Sequence, residues 1–192
     1  MIKMTQLSIK MIVRLQSFMR RTLAKRAIKD FVEVRDTYRM NSRYFTREEQ
    51  FETLSKTKSL KDTGPEALIQ KSYTYRNGAV YTGQWLGNFR NGRGRMEWPD
   101  SASYEGSWEW GYASGRGVFI DSVGNKYEGD FKNSMAHGRG TYTNTMGAVY
   151  EGEWRFDMQH GRGIERWTNS NSYFEGEFKD GLRCGHGVWT HD

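Results

Sequence analysis

The chain has 192 residues, a formal charge of +6 and 36% hydrophobic residues, with 22 glycines, two prolines and 15% aromatics. That balance leaves little for a thick globular core and favours a thin Gly/aromatic β architecture with an appendage. One cysteine, Cys184, rules out an internal disulfide and fits a reducing compartment, and no run of eighteen apolar residues is present to make a membrane-spanning helix, so a soluble or peripheral chain is expected.

Charge divides the sequence. Residues 1–72 carry 16 Lys/Arg against 8 Asp/Glu, whereas residues 73–192 carry 13 against 15. Residues 1–29 hold eight basic side chains and no acid, an excess that seeks an acidic partner. The same stretch lacks Gly and Pro and spaces Ile12, Leu15, Met19 and Leu23 by three or four, which predicts a basic amphipathic helix over 1–31. A capping box at Thr46-Arg47-Glu48-Glu49 opens another helix within a helical arm over 32–72, and Lys61-Asp62-Thr63-Gly64-Pro65 breaks the pattern before the repeats.

Inside the first helix, residues 15–25 read L-Q-S-F-M-R-R-T-L-A-K. Leu15, Gln16, Arg20 and Lys25 fit the spacing of the IQ motif, which this stretch resembles, and Arg21 stands where that motif commonly has Gly. The resemblance implies docking of calmodulin or a related EF-hand protein. Ile12, Leu15, Met19 and Leu23 would enter an apolar groove, Arg20, Arg21 and Lys25 would meet an acidic rim, and Gln16 would bond backbone. Three other readings of this helix stay open: a mitochondrial transit peptide, a helix lying on acidic phospholipid, and a helix packed on the chain's own apolar face.

From residue 73 the sequence repeats itself. Leading aromatics fall at Tyr81, Tyr104, Tyr127, Tyr150 and Phe174, a period of 23 residues and then 24. A glycine follows two places on and a second aromatic two beyond that, at Trp85, Trp108, Phe131, Trp154 and Phe178. Eleven residues after each leading aromatic begins a G-x-G, from Gly92/Gly94 to Gly185/Gly187. A unit this short cannot bury its own apolar face, so the copies must stack. Alternation puts Tyr150, Gly152 and Trp154 on one face and Glu151 and Glu153 on the other, which predicts a strand. After about six loop residues the G-x-G would open a returning antiparallel strand, making each copy a hairpin. Asn77-Gly78, Pro99-Asp100, Gly124-Asn125 and Met146-Gly147 supply turns between copies, and the strand glycines leave room for neighbouring rings.

This pattern, Y-E-G-x-[WF] followed by G-x-G, resembles the MORN repeat over 73–192. Thr82 departs from the usual Glu, the last copy holds an extra residue at Ser172 or Tyr173, and His186 fills a G-x-G centre. The resemblance implies a mainly β fold: an elongated single-layer antiparallel sheet of about five hairpins, preceded here by the α-helical arm, with an aromatic groove on one face. It also implies scaffolding within a ciliary, axonemal or other cytoskeletal assembly. Tyr81, Trp85, Tyr104, Trp108, Tyr127, Phe131, Tyr150 and Trp154 are the candidate groove residues for a partner protein. The chain stops at Asp192 just after the fifth copy, and a final strand without a cap would be free to pair with another chain.

No enzyme, cofactor or metal site is expected. His137 and His160 precede the G-x-G and His186 lies within it, so their spacing follows the repeat and reads as turn structure. Glu105, Glu128, Glu151 and Glu175 recur one per copy and give acid-base chemistry no distinct pair. The Gly-Arg-Gly triplets lack the Lys-Ser/Thr of phosphate loops. Arg93, Arg116, Arg139 and Arg162 form a basic row, but acidic rows offset it, so no nucleic acid is expected; acidic phospholipid is the alternative ligand of that row and of the basic helix.

Overall fold

A computed structural model describes residues 44–46, 49, 52 and 68–191. The expected basic helix, its IQ-like segment and most of the expected helical arm lie outside these residues. Thr46 Oγ1 accepts the Glu49 amide at 3.4 Å, the N-cap half of the expected box, and Glu49 and Glu52 have helical backbone. From Ile69, four residues before the expected boundary, the chain is strand and not helical arm.

Eleven strands follow: β1 (Ile69–Thr74), β2 (Val80–Leu86), β3 (Phe89–Glu97), β4 (Ser103–Glu109), β5 (Tyr112–Ile120), β6 (Lys126–Lys132), β7 (Met135–Thr143), β8 (Ala148–Arg155), β9 (Met158–Trp167), β10 (Ser172–Lys179) and β11 (Leu182–Thr190). They form one antiparallel sheet in sequence order. Each repeat is a hairpin, β2–β3 through β10–β11, and β1 adds a strand ahead of the first.

The six-residue loops do not exist. Two-residue turns close each hairpin: Gly87-Asn88, Trp110-Gly111, Asn133-Ser134, Phe156-Asp157 and Asp180-Gly181. In the last four both residues have positive φ, the left-handed geometry that matches the twist of paired strands, and it holds even for Trp110 (φ 51°) and Phe156 (φ 53°). The turn is then bonded to the copy before it, with Gly111, Ser134, Asp157 and Gly181 N–H donating to the carbonyls of Arg90, Ala113, Ala136 and Gln159 at 2.8–3.1 Å. Those bonds explain how a bulky residue is held in a costly conformation. Consequently His137, His160 and His186 sit within strands β7, β9 and β11, not in turns.

Longer links join the copies, closed by bonds such as Trp98 N–H to Ala102 O and Asn144 N–H to Ala148 O, both 2.9 Å. Gly78, Ser101, Gly124 and Gly147 take positive φ there. The carboxamide or carboxylate of Asn77, Asp100, Asp121 and Asn144 accepts amides two residues on, as expected of Asx turns.

The two glycines of each G-x-G do different work. The first has positive φ, from 80° at Gly92 to 59° at Gly185, and accompanies a shift of register in its hairpin: a β-bulge repeated five times. The second pairs across the sheet with the glycine of the leading motif. Gly83, Gly94, Gly106, Gly117, Gly129, Gly140, Gly152, Gly163, Gly176 and Gly187 form one unbroken row over ten strands.

Candidate binding surface: the aromatic face

That glycine row is a trough floored by backbone. Each leading tyrosine lies along it, so that a Cβ on Gly117 would stand 2.5–2.7 Å from the ring and hydroxyl of Tyr104. The hydroxyls of Tyr81, Tyr104, Tyr127 and Tyr150 donate to the carbonyls of Gln84, Ser107, Asp130 and Glu153 at 2.9–3.0 Å. Burial penalises the phenolate, so these four hydroxyls titrate well above the ordinary tyrosine range, and Tyr75 is pushed up to about 12 for the same chief reason.

The second aromatics stand on edge between these flat rings. Tyr81 meets Trp85 of its own copy and Trp108 of the next, both at 5.1 Å and nearly perpendicular. The alternation continues through Tyr104–Phe131, Tyr127–Trp154 and Tyr150–Phe178 at 4.9–5.0 Å. Edge-to-face pairs of this kind add to simple area burial. The indole N–H groups of Trp85, Trp108 and Trp154 each reach the carbonyl fourteen positions earlier, at Lys71, Gly94 and Gly140, all 3.0 Å.

All eight candidate groove residues therefore come together on one face, and all are buried: Tyr81 and Tyr104 at 0%, Trp154 the most exposed at 9%. Their rings spend their surface on each other. Ile12, Leu15, Gln16, Met19, Arg20, Arg21, Leu23 and Lys25 lie outside the described residues.

Over the first copies the face carries a second layer. Phe45 is buried against Trp98 and Tyr104 at 5.0 and 5.4 Å and against Trp108 and Phe119 at 6.0 Å. Its neighbour Tyr44 packs on Trp98 and Phe119 and donates to Asp100. Glu49, 1% exposed, accepts from Asn77 Nδ2 at 2.7 Å and Trp98 Nε1 at 2.9 Å through one oxygen. Glu52 accepts from Tyr73 and from the Arg76 amide. Arg90, 2% exposed, donates to Gly111 O at 2.7 Å with its guanidinium 4.5 Å from the Trp108 ring. Sequence reasoning passed over Tyr44, Phe45 and Arg90; the signals were an aromatic pair directly ahead of the capping box and a cation at a repeat position that the next two copies fill with Ala113 and Ala136.

On the opposite face, basic and acidic side chains pair both across and along the strands. Arg116 faces Asp130 at 3.6 Å, Lys126 bridges Glu128 at 2.7 Å, Arg95 bridges Glu97 and Glu105, and Arg166 meets Glu151. These exposed pairs contribute little energy each, but they keep this face wet. A shallow hollow of about 450 Å³ near Glu153, Arg155, His160, Arg162 and Glu177 mixes both signs. Among the described residues no group of three or more His, Cys, Asp or Glu side chains is placed to hold a metal ion.

Five MORN repeats match, at residues 81–103, 104–126, 127–149, 150–172 and 174–191, more than half of the chain. The chain belongs to the MORN-repeat family. Among curated proteins none matches it. Each MORN match begins at a leading aromatic, so the matched unit is one hairpin plus the link to the next. The strand β1 precedes the first match and extends the MORN sheet by pairing Tyr73 with Tyr81.

Proposed function

We propose that the chain is a non-catalytic scaffold: the MORN sheet binds a partner protein, and residues 12–25 dock calmodulin or a related EF-hand protein, within a ciliary, axonemal or other cytoskeletal assembly. MORN repeats suggest a scaffold role in binding protein or membrane, and the five matched copies are the observation that carries this proposal. Supporting it, the repeat devotes its glycines and rings to a continuous sheet, and its histidines and glutamates recur with the copies instead of converging. The acid-free segment 1–29 supplies the cations that an acidic EF-hand lobe attracts.

A second reading has its own support. Arg93 faces Ser107 on one side and lies next to Gln84, its amide bonded to Gln84 Oε1, so this end of the arginine row lacks the facing carboxylate that Arg116 has in Asp130. With the basic segment, such a row would suit acidic phospholipid.

A calmodulin pull-down with and without calcium, run beside flotation on anionic liposomes, separates the two. Retention by calmodulin that is lost in Arg20→Glu/Arg21→Glu supports EF-hand docking. Retention by liposomes alone overturns it.

A further inference from the structure

The pocket that receives Phe45 recurs at the other end of the repeats. Its walls are Trp98, Tyr104, Trp108 and Phe119. One copy on, the corresponding residues are Asp121, Tyr127, Phe131 and Tyr142; two copies on, Asn144, Tyr150, Trp154 and Glu165. In both, polar residues replace part of the wall. Three copies on the walls are Trp167, Phe174, Phe178 and Trp189, aromatic throughout.

The flanks correspond as well. Tyr73 packs on Trp85 at 6.0 Å and 65°, and three copies later Tyr142 packs on Trp154 at 6.3 Å and 62°. Trp167 is the counterpart of Trp98, whose indole N–H binds the Glu49 carboxylate.

What differs is the filling. In the first pocket Trp98 and Phe119 stand 6.1 Å apart at 77°, with Phe45 packed against both. In the second, Trp167 and Trp189 stack on each other at 5.4 Å and 8°, and Trp189 is 47% exposed. The Arg183 guanidinium lies 4.6 Å from Trp189 and 4.9 Å from Trp167 and bridges Glu165 at 2.7 Å. An exposed indole stacked on its neighbour beside a cation is a surface that an aromatic side chain and a carboxylate would complete.

We propose that the Trp167–Trp189 platform docks an acidic peptide segment of another protein through one aromatic side chain, as Tyr44, Phe45 and Glu49 dock on the first platform. The incoming ring takes the place of Phe45, unstacking Trp189 from Trp167. A following carboxylate accepts from Trp167 Nε1 as Glu49 does from Trp98, with Arg183 adding attraction. This inference rests on the reading of the sheet as a protein-binding scaffold and specifies the chemistry of one partner.

The test titrates the full chain with a synthetic peptide of residues 41–54, which carries the Tyr44, Phe45 and Glu49 that pack on the first platform, followed by tryptophan fluorescence. Saturable binding is expected, weakened about tenfold by Trp189→Ala and by Arg183→Glu. It should be abolished when the peptide carries Ala at its Phe45 position, and unchanged by Trp110→Ala, an exposed indole at a distant turn. Far-ultraviolet circular dichroism and the Tm establish that each variant remains folded.

Absence of saturable binding, or binding indifferent to both Trp189→Ala and Arg183→Glu, overturns the proposal. So does concentration-dependent self-association of the chain that disappears in Phe45→Ala, because the occupant would then be a second copy. If the titration fails while calmodulin retention persists, this inference falls and the scaffold reading stands.

Discussion

Arg90 in the first copy and Arg183 in the fifth occupy the same repeat position, five residues after the second aromatic, where the copies between them carry Ala113, Ala136 and Gln159. Their surroundings diverge. Arg90 is buried beneath Trp108 of the following copy and bonded to the carbonyl of its turn, while Arg183 lies half-exposed over Trp167 and Trp189 with Glu165 as its partner. The same residue in the same strand context is core in one copy and surface in another. In a stacked repeat, burial is decided by what the neighbouring copy and the second layer bring.

The largest effect that could break this contrast is at the tryptophans. Trp108→Ala should cost about 4 kcal/mol, the range for emptying a buried aromatic site, against about 1 kcal/mol or less for Trp189→Ala. Urea unfolding of the two variants checks the difference, and equal losses would contradict the picture of a covered and an uncovered end. Next in size is the glycine row. Gly117→Ala drives a methyl into the Tyr104 ring with strand bonds on both sides of β5, for an expected loss of about 3 kcal/mol. Gly187→Ala meets Phe174 as closely, but β11 pairs only with β10 among the described residues and can yield, so a smaller shift in Tm is expected.

The arginines follow. Arg90→Ala removes a desolvated cation–π contact and a charged hydrogen bond and should cost about 2 kcal/mol, whereas Arg183→Ala should cost below about 1 kcal/mol. The smallest change concerns the hydroxyls. Tyr104→Phe gives up a hydrogen bond to a carbonyl, about 1 kcal/mol, while Phe174, which has no hydroxyl, can be converted to Tyr with a small gain if the Glu177 carbonyl accepts it. pH sharpens the same point. Because burial raises the folded-state pKa of Tyr75, Tyr81, Tyr104, Tyr127 and Tyr150, their contribution is complete below the unfolded value of about 10 and is lost as pH rises beyond it. Stability measured by urea midpoints should fall above about pH 10, less steeply in Tyr104→Phe than in the unaltered chain.

Much of the sheet was legible beforehand because its period is local. Tyr150, Gly152 and Trp154 alternate with Glu151 and Glu153, and two-fold alternation has one interpretation when glycine recurs in register with rings. The loop length within a hairpin was not legible. Nothing local announces Trp110 and Phe156 in left-handed geometry, since the bonds that hold their turns come from the preceding copy. The candidate groove was legible as a set of eight residues on one face and illegible as to exposure. Whether a ring is covered depends on the next copy's second aromatic and on Phe45, which approaches from outside the repeats.

By itself the sequence determined the order of the repeat hairpins, the face of each leading motif and the identity of the trough, because a 23-residue period with glycines in every copy forces backbone-to-backbone contact at one row and rings over it. Only the tertiary structure decided that the bulge falls at the first glycine of each pair, that Phe45 and Glu49 pack across the first copies, and that Trp167 and Trp189 stack against each other. Those outcomes arise from contacts between segments far apart in sequence, where packing and desolvation outweigh anything a local pattern encodes.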